Sequence, residues 1–161
     1  MIWLVVLLVA VSGFLYVVFF GAPYVPTFQK DIDRLLDLSK LKAGDSLVDL
    51  GCGDGKVLIA AAKRGIHVSG YEINLVLWLI TKWRLRSYQV EKHIYLRSMW
   101  RADLSKADAV FLFLQDRWMV KMAKYLQVHC KPGTQVISYV FSFEGLKLRH
   151  TTRNAAIYLI E

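Results

Sequence analysis

Val48-Asp49-Leu50-Gly51-Cys52-Gly53-Asp54-Gly55 joins a short apolar run to an alanine-rich one, and this junction restricts the fold more than any other part of the chain. Closely spaced glycines let the backbone take positive φ and approach a ligand, as a loop between a strand and a helix must when it wraps a cofactor. Ser46 to Leu50 reads as the buried strand before the loop, and Lys56 to Arg64 as the helix after it. A dinucleotide fingerprint needs Gly-x-Gly-x-x-Gly, but its third glycine position is Lys56 here; a phosphate-binding P-loop needs Gly-Lys-Ser/Thr, which does not follow. Glu72 closes the next strand, where doubly wound folds place an acid against both ribose hydroxyls.

The alternation continues along the chain. A short amphipathic helix is predicted over Gln29 to Leu38 and a strand over Ile66 to Tyr71. A helix over Asn74 to Ser87 and strands over Ile94 to Arg97 and Ala109 to Leu114 come next, then a helix over Arg117 to His129 and a strand over Gln135 to Phe141. Helices between β runs imply a largely parallel sheet. Leu146 to Arg149 and Ala155 to Ile160 have no helical segment between them, so the chain is expected to end in an antiparallel hairpin. The fold class is therefore α/β and Rossmann-like, with that hairpin at its end.

No Lys, Arg, Asp or Glu precedes Lys30, so all 21 basic and 13 acidic residues follow it. Ile2 to Ala22 is uncharged and as a helix would reach about 31 Å, one hydrocarbon thickness. It lacks the basic start and the cleavage site of a signal peptide. Trp3 and Tyr24 flank it, and positive charge follows only on its C-terminal side. The expectation is one N-terminal transmembrane helix (1–22) and a globular domain (23–161), single-pass in a membrane and facing the cytoplasm or the mitochondrial matrix. The 161 residues suffice for one core only. Two cysteines, Cys52 and Cys130, exclude a disulfide framework and fit a reducing compartment. His67, His93, His129 and His150 have no metal-ligand spacing, so no metal is expected.

The pattern Asp-x-Gly-x-Gly-x-Gly resembles motif I of the class I methyltransferases, which bind S-adenosylmethionine; that cofactor carries an ammonium and no phosphate, so carboxylates suit it. With PYVPT at 23–27, VDLGCGDGK at 48–56, GYEIN at 70–74 and DLSKAD at 103–108, the chain resembles a narrower group. These are the membrane-anchored seven-β-strand lysine methyltransferases that act on the ATP synthase c-subunit and the adenine nucleotide translocase, with their prokaryotic relatives. The resemblance implies a protein-lysine N-methyltransferase acting on an integral membrane protein. By it, Asp49, Gly51, Cys52, Gly53, Asp54 and Gly55 surround the methionine part of the cofactor. Glu72 holds the ribose and Ile73 the adenine face, Asn74 is a further cofactor-binding residue, and Tyr24 and Thr27 lie in a loop folded over the cofactor. The chain departs from the group at Thr27-Phe28, Ser98 and Phe141-Ser142-Phe143. No Asn-Pro-Pro-Tyr follows the fourth strand, which argues against adenine or glutamine methylation.

Methyl transfer is an in-line displacement in which protein groups mainly position and desolvate, so no catalytic dyad is expected. Tyr24, Gln115 and Asp116 are placed to line the acceptor entrance, the last two at the carboxyl end of the fourth strand. Met99 and Trp100 either cover the adenine or pack in the core. Asp103 and Asp108 read as structural, and Cys52 as a small filler. Lys82, Arg84, Arg86, Lys92, Arg97, Arg101 and Lys106 crowd one region. That basic surface suits a lipid bilayer beside the anchor, or no partner at all, better than nucleic acid. Two rival readings are a non-catalytic membrane assembly module and a small-molecule or lipid methyltransferase.

Overall fold

The computed structural model describes residues 2–4 and 27–161. From Gln29 onward, helices α1 (Gln29–Ser39), α2 (Lys56–Ala62), α3 (Leu75–Leu85) and α4 (Met119–His129) alternate with strands. The strands are β1 (Ser46–Leu50), β2 (His67–Glu72), β3 (Lys92–Leu96), β4 (Ala109–Leu112), β5 (Gln135–Tyr139), β6 (Lys147–Thr151) and β7 (Ala155–Leu159). They form one seven-stranded sheet in the order β3-β2-β1-β4-β5-β7-β6. Strands β1 to β5 run parallel, while β7 is antiparallel to both β5 and β6. The terminal hairpin is thus as expected, but its second strand inserts beside β5 and leaves β6 at the edge.

Alternation along the strands divides the core in two. Leu47, Phe111, Ile137 and Tyr139 point to one face, where they meet Ile32, Leu35 and Leu36 of α1, Leu58 of α2 and Leu85 of α3. Val48, Val110, Leu112 and Val136 point to the other, against Met122 and Leu126 of α4. Burying both faces explains why β1 and β4 are nearly continuous apolar runs. β3 begins at Lys92, two residues before the expected start, because Lys92 and His93 pair with β2 although they carry no apolar signal. β4 and β5 each end two residues early, and the expected helix from Arg117 opens as a 3-10 turn at Asp116–Trp118.

α3 buries only Thr81 and Leu85. Its Leu75, Val76, Leu79 and Trp83 remain exposed, which is why its sequence looks apolar around most of the circumference.

One expectation requires correction. Among the described residues no helix is long and apolar enough to cross a membrane. α1, α3 and α4 have 11 residues each, about 16 Å against the roughly 30 Å of a hydrocarbon core. The single-pass, cytoplasm-facing placement needs a spanning helix, and the described structure provides none. Most of the stretch on which that expectation rested, residues 5–22, lies outside the described residues, as does Tyr24.

Candidate cofactor and acceptor site

The site forms at the carboxyl edge of the sheet, where β1 passes into the glycine loop. Gly51 has φ +97° and Gly55 φ +81°, both in the left-handed region that costs other residues free energy. A Cβ on Gly51 would meet nothing within 4 Å, so this part of the loop faces open space, whereas a Cβ on Gly55 would lie 2.8 Å from Thr81 Cγ2. The loop is therefore open on its ligand side and packed on its inner side.

Three groups hold it in place. The amides of Gly51 and Cys52 both donate to the Tyr71 carbonyl, at 2.9 and 3.1 Å. Glu72 Oε2 accepts from the Gly53 amide at 2.9 Å, while its Oε1 accepts from the amides of Ile73 and Asn74 at 2.9 and 2.8 Å. α3 closes the third side. Its Thr81 hydroxyl donates to the Gly53 carbonyl at 2.7 Å, and Arg84 Nη1 binds the Asp54 carbonyl and carboxylate at 2.8 and 2.7 Å. Thr81 carried no signal in the sequence and Arg84 read only as part of a basic surface, because nothing in their spacing ties them to a loop 28 and 30 residues away.

Asp49 is buried beneath the loop and makes no side-chain hydrogen bond among the described residues. Burial holds its carboxyl well above the usual range, and the nearby carboxylates of Glu72 and Asp54 add to this. An acid with a raised folded pKa holds its proton more tightly in the folded than in the unfolded chain. Its contribution to stability therefore falls as pH climbs from the unfolded value, near 4, towards the folded one. Asp49→Asn is expected to stabilise the free protein by about 1–2 kcal/mol at pH 8 and by less at pH 5, while weakening cofactor binding. Denaturant unfolding of both proteins at the two pH values checks this, and identical pH dependence would refute it.

The other expected residues take varied places. Cys52 is buried and its thiol is pushed up by burial and by Asp49, which fits a filler rather than a nucleophile. Asn74 caps α3, its side chain accepting from the amides of Val76 and Leu77 at 2.9 and 3.2 Å. Ile73 stands exposed at the end of β2, and Thr27 is half-buried at the entry to α1. Met99 and Trp100 form a 3-10 turn after β3. Trp100 lies edge-on to Trp118 and Tyr125, with ring centres 6.0 and 5.7 Å away, so packing against α4 accounts for much of its surface. Gln115 is half-buried, and its carbonyl accepts from the Trp118 amide at 3.0 Å. Asp116 beside it is exposed. Asp103 bonds Ser105, and Asp108 ties Ser46 to Lys131, so both brace structure. Among the described residues no three His, Cys, Asp or Glu side chains are grouped to hold a metal.

Residues 49–150 match the ANTKMT methyltransferase domain. The chain is 32% identical to the human lysine N-methyltransferase of the ATP synthase c-subunit, over 81% of this chain and 56% of that protein. It is 31% identical to a protein-lysine N-methyltransferase of Saccharolobus islandicus, over 85% of this chain and 91% of that one. A solved RNA methyltransferase from Salinibacter ruber, in complex with S-adenosyl-L-homocysteine, superposes with TM-score 0.76 at 28% identity, covering 84% of this chain and 92% of that one. The chain spans about half the length of its curated vertebrate relatives. The family match covers most of the chain and takes in the glycine loop, Glu72 and the strands that carry them, and on that ground this chain belongs to the ANTKMT methyltransferase domain family, within the class I lysine methyltransferases.

Proposed function

We propose that this chain is an S-adenosylmethionine-dependent protein-lysine N-methyltransferase whose catalytic unit is residues 23–161. The observation that carries the cofactor is the charge at the loop. Asp49, Glu72 and Asp54 converge there, and Arg84, which stands beside them, is already bound to Asp54. Such a site repels a pyrophosphate and suits an ammonium and a sulfonium. Bound there, S-adenosylmethionine supplies a methyl group already activated by its sulfonium.

The chain's own part is to bind, orient and dehydrate. Gly51, Cys52, Gly53, Asp54 and Gly55 take the methionine part, above Asp49. Glu72 has backbone amides on both carboxylate oxygens; in this reading the lone pair left on Oε2 accepts from a ribose hydroxyl. Ile73, Asn74, Met99 and Trp100 bound the adenine side, Thr27 the approach from above, and Gln115 the acceptor side; Tyr24 is assigned to that approach by the family resemblance alone. For the acceptor we propose a lysine of a membrane protein, in keeping with the named target of the human relative, the ATP synthase c-subunit. The exposed apolar residues Ile73, Leu75, Val76 and Leu79 beside the loop suit an apolar substrate surface.

Thermal unfolding of the full chain with S-adenosylmethionine, and separately with NAD, tests the reading. Ligand at 100 times its Kd stabilises by about 2.7 kcal/mol, so a rise of roughly 5 to 15 °C is expected with S-adenosylmethionine alone. No shift at saturating cofactor would remove the enzyme reading and favour an assembly module. Labelled methyl recovered in extracted lipid instead of protein would favour a lipid methyltransferase.

A further inference from the structure

A second group of polar and aromatic residues lies at the same edge of the sheet, outside the cofactor loop. Leu50 pairs with Leu112, and Leu112 with Ser138, so the residues that follow them (Gly51, Phe113 and Tyr139) stand in one row at the carboxyl ends of β1, β4 and β5. With strands about 4.8 Å apart, the Tyr139 backbone is about 10 Å from the start of the glycine loop. The Tyr139 ring is buried, and its hydroxyl donates to Asp31 Oδ2 at 2.6 Å. Asn154 Nδ2 reaches the same oxygen at 3.5 Å.

Three features mark this pair as more than a brace. Asp31 is half-buried, and among the described residues no Lys, Arg or His pairs with it, in a chain of net charge +8; its Oδ1 accepts no hydrogen bond there. Aromatic side chains lie nearby: Phe113 stands edge-on to Tyr139 with centroids 5.2 Å apart, and Phe28, whose carbonyl accepts from the Asp31 amide at 3.0 Å, is 73% exposed. Val140, the next residue of the β5 end, is a β-branched residue at φ +72°, a strained conformation that costs about 1–3 kcal/mol and clusters at functional sites. Burial, then the bond to Asp31, pushes the Tyr139 phenol up to about 12, so it remains a donor at neutral pH.

We propose that Asp31 and Tyr139 form the receiving site for the acceptor lysine, the Asp31 carboxylate holding the ε-ammonium while Phe113 and Phe28 flank its methylene stem. This rests on the methyltransferase reading. An aromatic-walled carboxylate matches an alkylammonium in both charge and shape. The ammonium sheds one proton to water by way of Asp31. The amine lone pair then forms the new N–C bond as the C–S bond breaks, the electron pair of that bond remaining on sulfur. Dehydration of the enclosed amine favours its neutral form, against the pull of the Asp31 carboxylate on the ammonium.

The test uses the full chain, poly-L-lysine as acceptor and methyl-labelled S-adenosylmethionine, with melting in S-adenosylhomocysteine as a readout independent of turnover. Asp31→Asn is expected to raise KM for poly-L-lysine at least tenfold, leaving the S-adenosylhomocysteine shift within about 2 °C of wild type. Asp31→Glu should recover part of the loss, and Tyr139→Phe should raise KM less than Asp31→Asn. The proposal is overturned if Asp31→Asn keeps KM and kcat within twofold, or if it loses the cofactor shift along with turnover. It is overturned too if a wild-type protein that binds S-adenosylhomocysteine leaves poly-L-lysine unmethylated. A wild type showing neither shift nor methylation refutes the function itself.

Discussion

Glu72→Ala is expected to abolish cofactor-dependent stabilisation and to weaken S-adenosylmethionine binding at least a hundredfold, about 2.7 kcal/mol. Two losses coincide in this variant. The ribose would lose its acceptor, and the amides of Gly53, Ile73 and Asn74 would lose theirs. Hydrogen bonds to a charged group contribute about 1.5–3 kcal/mol, and the Gly53 amide, whose bond to Glu72 is buried, would keep its desolvation cost when left unpaired. Removing a carboxylate that repels Asp49 offsets part of this, so the free protein should lose only about 2 kcal/mol. Glu72→Gln separates the effects: it keeps one acceptor oxygen but sets an NH2 against a backbone donor. Calorimetric titration with denaturant unfolding of both variants checks this. Retained affinity in Glu72→Ala would remove Glu72 from the site.

Gly70→Val should destabilise the fold by about 3 kcal/mol and displace the glycine loop from beneath. Gly70 is in β2, under α2. A Cβ there would stand 2.6 Å from Leu58 Cδ1 and 2.8 Å from Cys52 Sγ, closer than real carbons approach. Leu58 is fully buried and Cys52 nearly so, leaving little space for either to retreat. For a domain of this size the change corresponds to a fall in Tm of about 6–12 °C. The mechanism has its own signature: Cys52→Ala, by removing Sγ, should relieve a good part of the cost of Gly70→Ala in a double-mutant cycle. Additive effects would mean that the two positions do not collide.

Much of the architecture was legible in the sequence because local signals and tertiary structure agree. The apolar run Ala109–Leu114 reads as a strand and forms one over Ala109–Leu112, buried on both faces, and the Ala-rich segment after Gly55 reads as a helix and packs as one. The loop and its acid were legible for the same reason: their chemistry lies within consecutive residues and at a fixed place in a strand–helix unit. The N-terminal expectation failed differently. Hydropathy, the flanking Trp3 and Tyr24 and the position of the first charges assigned a spanning helix to Ile2–Ala22, while no described helix is long and apolar enough to cross a membrane.

What composition and spacing determined about this chain is therefore the βα alternation, the open glycine loop and the carboxylates that shape it. Only the tertiary structure decided that β7 would insert between β5 and β6, and that Glu72 would share its oxygens among three backbone amides. It also decided that Thr81 and Arg84 would clamp the loop, and that Asp31 would meet Tyr139 across 108 residues of chain. The physical reason is range: turn chemistry and hydrophobic periodicity act over a few residues, whereas these contacts exist only once the packing of α1 and α3 on the sheet has brought distant side chains to one edge.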